Sequence, residues 1–172
     1  MKQGAEKNSE AVREKAERRK ATLHLLEAVS YWKEALPDLE KMEKEDPVRV
    51  KMLVALAGQA YPIPKGDLPD GEGAEDAGLA YYRKAVAYFD GMLSLLPQPE
   101  QTVLTIYSSN AFTNQRLEIA KQALHLERTQ VWRIRNAALD HVHAMKTGIY
   151  DIRACVPLKI GNTHATRLQH TA

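Results

Sequence analysis

An arginine and a histidine separated by five residues, Arg135 and His141, are the side chains of this sequence best suited to acid–base chemistry. On a helix turning about 100° per residue, each lies about 60° from Ala138, one on either side, so both border one apolar stripe. A guanidinium so placed holds a phosphate while an imidazole moves a proton. The plainer reading of the same pair is that both cover the core edge with their stems or touch a partner. The remaining histidines are His24, His125, His143, His164 and His170. His141 and His143 point about 200° apart on a helix and cannot share one metal. No His-Glu-x-x-His occurs, Cys155 has no close Cys or His partner in sequence, and the acid–histidine spacings do not repeat as a two-metal bundle requires. No metal and no cofactor is therefore expected. Gly66, Gly71 and Gly73 stand among acids, which repel phosphate, and no Gly-x-Ser-x-Gly turn is present. The acids from Asp67 to Asp76 lack the ligand order of a calcium loop. Tyr81, Tyr82, Tyr88, Phe89 and Tyr107 sit at helical spacing beside alanines, which points to packing between helices rather than to a base-stacking platform.

The chain that must position these groups has 172 residues, 44% apolar and 27% charged. That suffices for one compact domain with a sizeable core and argues against wholesale disorder. Lys+Arg 24 against Asp+Glu 22 leaves a net charge of +2, so global charge does not point to nucleic acid. The single cysteine, Cys155, excludes an intramolecular disulfide and suits a reducing, intracellular compartment, either cytoplasm or mitochondrial matrix. No apolar run reaches the ~18–20 residues of a membrane span, so membrane insertion is not expected. The first twenty residues contain no apolar signal core.

Helical periodicity dominates, and no stretch alternates as a strand does. Leu25, Leu26, Val29, Trp32, Ala35 and Leu36 share one face of a helix over 9–36, and polar Thr22 marks where that stripe fades. Residues 1–8 are expected to fray or form an arm. Pro37 is expected to end or kink the helix. Asp46-Pro47 reads as an N-cap followed by proline at the first helical position, opening a helix to about Tyr61. Residues 62–75 form an acidic, Pro- and Gly-punctuated loop. Further helices are expected over 76–96, 100–112, 114–127 and about 131–145, with Gly148 as the residue just past the last. The hairpin domain thus covers 9–148. Residues 149–172 form an extended tail, and the chain from Arg128 onward carries a local excess of basic residues.

Three segments share a small–large–small spacing: Ala28-x3-Trp32-x2-Ala35, Ala85-x3-Phe89-x2-Met92 and, degraded, Arg116-x3-Ala120-x2-Ala123. Small residues let one helix approach another closely. The run from Tyr82 to Phe89 and on through Leu93-Ser94-Leu95-Leu96-Pro97 resembles the second helix of a tetratricopeptide repeat, and Ala57-Gly58-Gln59-Ala60-Tyr61 its first. Thr102-Val103-Leu104-Thr105 with Asn114 to Ala120 is similar to a pentatricopeptide repeat. These stretches cover a little over a quarter of the chain. The resemblance implies an all-α fold of stacked antiparallel helical hairpins, solenoid-like, with extended N- and C-terminal arms. A plain up-and-down bundle with alanine-rich seams is the competing arrangement.

Tetratricopeptide arrays are protein-docking surfaces, and pentatricopeptide arrays read single-stranded RNA. RNA reading needs many units and a basic groove, whereas this chain offers two or three units and an acidic middle. A non-enzymatic scaffold is expected, an accessory subunit whose partners are other protein subunits. In size and hairpin build it is similar to small pentatricopeptide-like accessory subunits of mitochondrial ATP synthase. The docking residues expected are Gln101, Leu104 and Ser108 on the outer face of the helix after Pro99, with Arg153, Lys159 and Arg167 in the tail. Two alternatives stand beside it. Arg135 and His141 resemble the motif of HEPN ribonucleases, in which two such motifs face each other across a helical dimer. The second alternative is single-stranded RNA binding by the repeats.

Overall fold

The computed structural model describes residues 2–68, 78–109, 114–148, 150–151 and 156–157, with side chains over 8–68, 78–109 and 114–148. The fold is all-α. Its helices are α1 (Lys2–Glu43), α2 (Pro47–Ala60), α3 (Leu79–Ser94), α4 (Gln98–Ser108), α5 (Arg116–Leu124) and α6 (Arg128–Lys146). A 3-10 turn, Lys65–Asp67, lies between α2 and α3. Beyond α6, β1 (Tyr150–Asp151) and β2 (Val156–Pro157) pair antiparallel over two residues each.

The N-terminal helix departs from expectation at both ends. It begins at Lys2, where fraying was expected, and it runs through Pro37 to Glu43 rather than ending there. Proline removes one i→i−4 hydrogen bond and crowds the preceding turn. Here the turns on either side are anchored, since Leu36 and Leu39 are both buried in the core. Burying an aliphatic side chain contributes about 1.5–3 kcal/mol, so two such anchors offset a proline cost of about 3 kcal/mol. Thr22 also belongs to the core face. It is buried, and its hydroxyl donates to the Arg18 carbonyl at 2.9 Å, which removes the cost of burying it.

Local chemistry sets the other boundaries. Asp46 caps α2, its carboxylate accepting from the Arg49 amide at 3.0 Å ahead of Pro47. The α3 C-terminus is closed by a side chain of the next helix: Gln101 Nε2 donates to the Leu96 carbonyl at 2.7 Å. Between α5 and α6, His125 adopts a left-handed conformation (φ 53°), and Glu127 with Gln130 forms a reciprocal capping box. Gly148 has φ +76° just past α6, the conformation glycine adopts most cheaply.

The long helix α1 is the common partner, packing against α2, α3, α4 and α6. The ion pairs Lys33–Asp90 and Glu40–Arg83 run in opposite sequence order, so α1 and α3 are antiparallel. The main core lies between them, with Ala28, Trp32, Ala85 and Phe89 all buried there. Trp32 is fully enclosed. Its ring stacks on Tyr82 at 3.5 Å between centroids, and its Nε1 donates to the Tyr61 carbonyl at 2.9 Å. Tyr31 stacks on Tyr61, so the end of α2 is tied to α1 by one ring stack and one hydrogen bond. The first part of the acidic loop joins this core: Ile63 and Leu68 are buried, and Asp67 pairs with Lys146 of α6 at 2.9 Å. A second cluster, Val103, Ile106, Tyr107, Ala120 and Val131, joins α4, α5 and α6.

Candidate functional site

The side chains able to do chemistry converge on the inner side of α6, facing α1 and α4. Glu100, in the first turn of α4, and His141 of α6 form one contact, with Nδ1 to Oε2 at 2.7 Å and both side chains largely buried. A carboxylate in the first turn of a helix is also favoured by the helix dipole. This hydrogen bond raises the His141 pKa above the ordinary imidazole value, against a smaller opposing effect of burial. Seven residues along α4 and six back along α6, Arg135 lies between two rings. Its guanidinium carbon is 5.2 Å from the Tyr107 centroid and 5.1 Å from that of Trp132. Arg135 Nη1 donates to Asn136 Oδ1 at 3.1 Å. Burial lowers the Arg135 pKa; Tyr107 opposes this, and the charges of Arg19 and Arg116 reinforce it.

Two further ion pairs flank this row. Arg19 of α1 grips Asp140 with both arms, Nε to Oδ1 at 2.8 Å and Nη2 to Oδ2 at 2.7 Å, and Lys15 adds a contact at 3.6 Å. Burial pushes the Asp140 carboxyl up, but the Arg19 hydrogen bonds, with the charges of Arg19 and Lys15, hold it below the usual carboxylate range. Arg116 of α5 reaches Glu27 of α1 at 3.0 Å and the Ser109 carbonyl at 3.2 Å. These pairs fix α1 against α5 and α6.

The structure therefore places Arg135 and His141 on one helix face but in separate surroundings, the first between rings and the second on a carboxylate. Each side chain is engaged within the bundle. The expected docking face of α4 turns out differently. Leu104 is 1% exposed and Ser108 8%, so both face inward, and the Gln101 amide is engaged at the end of α3. Leu104 continues the stripe set by Val103 and Tyr107, a spacing that marks the buried face of α4. Arg153, Lys159 and Arg167 lie outside the described residues.

Sequence reasoning missed a surface on α2. Val50 and Val54 face the core, yet Val48, Met52 and Leu56 are 70%, 64% and 64% exposed. Their spacing of four places them in one outward row. Arg49 and Lys51 flank it, and α2 contains no acidic residue. The signal was legible: α2 is apolar on two faces, which exceeds what one buried stripe requires.

Among the described residues no three His, Cys, Asp or Glu side chains converge as metal ligands, and no helix is long and apolar enough to cross a membrane. No known protein family, curated protein or solved structure matches this chain.

Proposed function

We propose that this chain is a non-enzymatic interaction protein, an accessory subunit of a larger assembly in the cytoplasm or mitochondrial matrix. In this reading its helices act as stacked antiparallel hairpins with terminal arms, and they dock other protein subunits. The observation that carries the proposal is the outward row Val48, Met52 and Leu56, three large apolar side chains that α2 leaves in solvent. Isolated exposed apolar residues are ordinary, but an ordered row along a helix is the anchor pattern of helix-in-groove recognition. The basic flanks Arg49 and Lys51 select a partner helix whose apolar face is rimmed by acids.

Full burial of three such side chains contributes about 1.5–3 kcal/mol each, reduced here because each is already about a third covered. That gives about 3–6 kcal/mol, against at least about 4 kcal/mol for lost rigid-body freedom. The row is therefore the centre of a wider contact rather than the whole of it. A ribonuclease role for Arg135 and His141 draws no support from their engagement with Tyr107, Trp132 and Glu100.

The test compares the wild type with a Met52→Asp/Leu56→Asp double variant, each purified under native conditions from its source. Expected is a partner subunit retained in fixed ratio by the wild type and lost by the variant, with unchanged circular dichroism. A partner held equally by both proteins contradicts the proposal.

A further inference from the structure

The row of charges between α1, α5 and α6 does not balance. Among the described residues, the ion pairs around Arg19, Arg116 and Arg135 involve two carboxylates, Asp140 and Glu27, and Lys15 adds a further positive charge on Asp140. Arg19 and Arg116 each hold one of the two. Arg135 has no carboxylate partner among the described residues; its contacts are two rings and a neutral amide oxygen. Its Nε is buried without an acceptor, and so is that of Arg116. A guanidinium half-removed from water, with an unmet donor and no counter-charge, is costly unless something anionic joins it.

The surroundings favour one class of anion. The planar guanidinium fork matches a phosphoryl group in two-point contact. Trp132, against which Arg135 rests, is 40% exposed, and Arg135 itself is part-exposed. An exposed indole beside a cation offers a flat surface on which a nucleobase stacks. Tyr107, on the other side, is buried and serves as a wall.

We propose that Arg135, with Arg116 beside it and Trp132 at the rim, forms a binding site for a phosphoryl group. The ligand is inorganic phosphate or a nucleoside monophosphate whose base lies on Trp132. The site is separate from the α2 row and does not depend on the docking role.

The probes are inorganic phosphate and adenosine monophosphate, titrated into the full chain in chloride buffer by calorimetry and by tryptophan fluorescence. Trp32 is fully enclosed, so a fluorescence change reports on Trp132. Expected is saturable binding that weakens about tenfold or more in Arg135→Gln, the loss of one charge-assisted contact. Tighter binding of the nucleotide, with that advantage lost in Trp132→Ala, assigns the base to the indole. Equal binding of both probes assigns the phosphoryl group alone. Absence of saturable binding by the wild type overturns the proposal, and this outcome needs no variant to fold. Binding that persists unchanged in a folded Arg135→Gln protein also overturns it, because the anion then sits elsewhere.

Discussion

Two glycines in helices make opposite predictions for one substitution. Gly58 lies in α2 and Gly91 in α3, and replacing either by alanine removes a helix-propensity penalty of about 0.8–1 kcal/mol. At Gly91 a methyl group meets nothing within 4 Å. At Gly58 it falls inside the contact distance of the Tyr82 hydroxyl. Tyr82 cannot step aside freely, because its ring is stacked on the enclosed Trp32 and set edge-on to Tyr81. Overpacking of this kind costs about 1–3 kcal/mol. The Gly91→Ala protein should therefore gain nearly 1 kcal/mol, a rise of about 2–4 °C in melting temperature for a chain of this size. Gly58→Ala should be neutral to about 2 kcal/mol less stable, the overpacking cost less the propensity gain. Thermal melts followed by far-ultraviolet circular dichroism measure both, and the near-ultraviolet band of Trp32 should change only in Gly58→Ala. If Gly58→Ala stabilises as much as Gly91→Ala, α2 does not approach α3 through Tyr82, and the aromatic packing described above is wrong.

The ion pairs add a pH dependence on both sides of neutrality. His141 has a raised pKa when folded, so its contribution to stability is complete below an unfolded imidazole pKa of about 6.5 and is lost as pH rises through the folded value. Denaturant titrations across that window should show stability falling with pH in the wild type and a flatter curve in His141→Gln. Asp140 behaves in the opposite sense. Its lowered pKa gives stability present above an unfolded carboxylate value of about 3.9 and lost as pH falls through the folded value. Asp140→Asn should lose about 1 kcal/mol at pH 7, the scale of a well-formed but partly exposed pair, and the loss should vanish in acid. Met52→Asp alone should leave the melting temperature within about 1 °C, since a 64%-exposed side chain has little packing to lose.

Much of the fold was readable along the chain because its signals are local. The Asp46-Pro47 cap, the glycine past α6 and the apolar stripe of α1 depend on neighbours within a turn or two, and all are found where the sequence puts them. Pro37 shows where local rules yield: its backbone cost is local, but the burial of Leu39 that offsets it is tertiary. The candidate site was readable only in part. Arg135 and His141 were found by spacing, yet what each faces depends on how α6 is rotated against α1 and α4, which no single-helix pattern encodes. Glu100 reaches His141 from 41 residues away in the chain, Tyr107 reaches Arg135 from 28, and Arg19 reaches the neighbouring Asp140 from 121. The same ambiguity placed Leu104 on the outside of α4, although its neighbours Val103 and Tyr107 already marked that face as buried. The α2 row is a second apolar face beside Val50 and Val54, and which of the two faces meets the core is decided by tertiary packing rather than by spacing along the helix.

The docking role is tested most directly by a photo-reactive benzophenone side chain placed in the native assembly at position 52 and, as a control, at the exposed Thr105 of α4. Cross-linking from position 52, but not from 105, to one defined polypeptide with an acid-rimmed apolar helix is the predicted result. Equal labelling from both positions, or none from position 52, would contradict it.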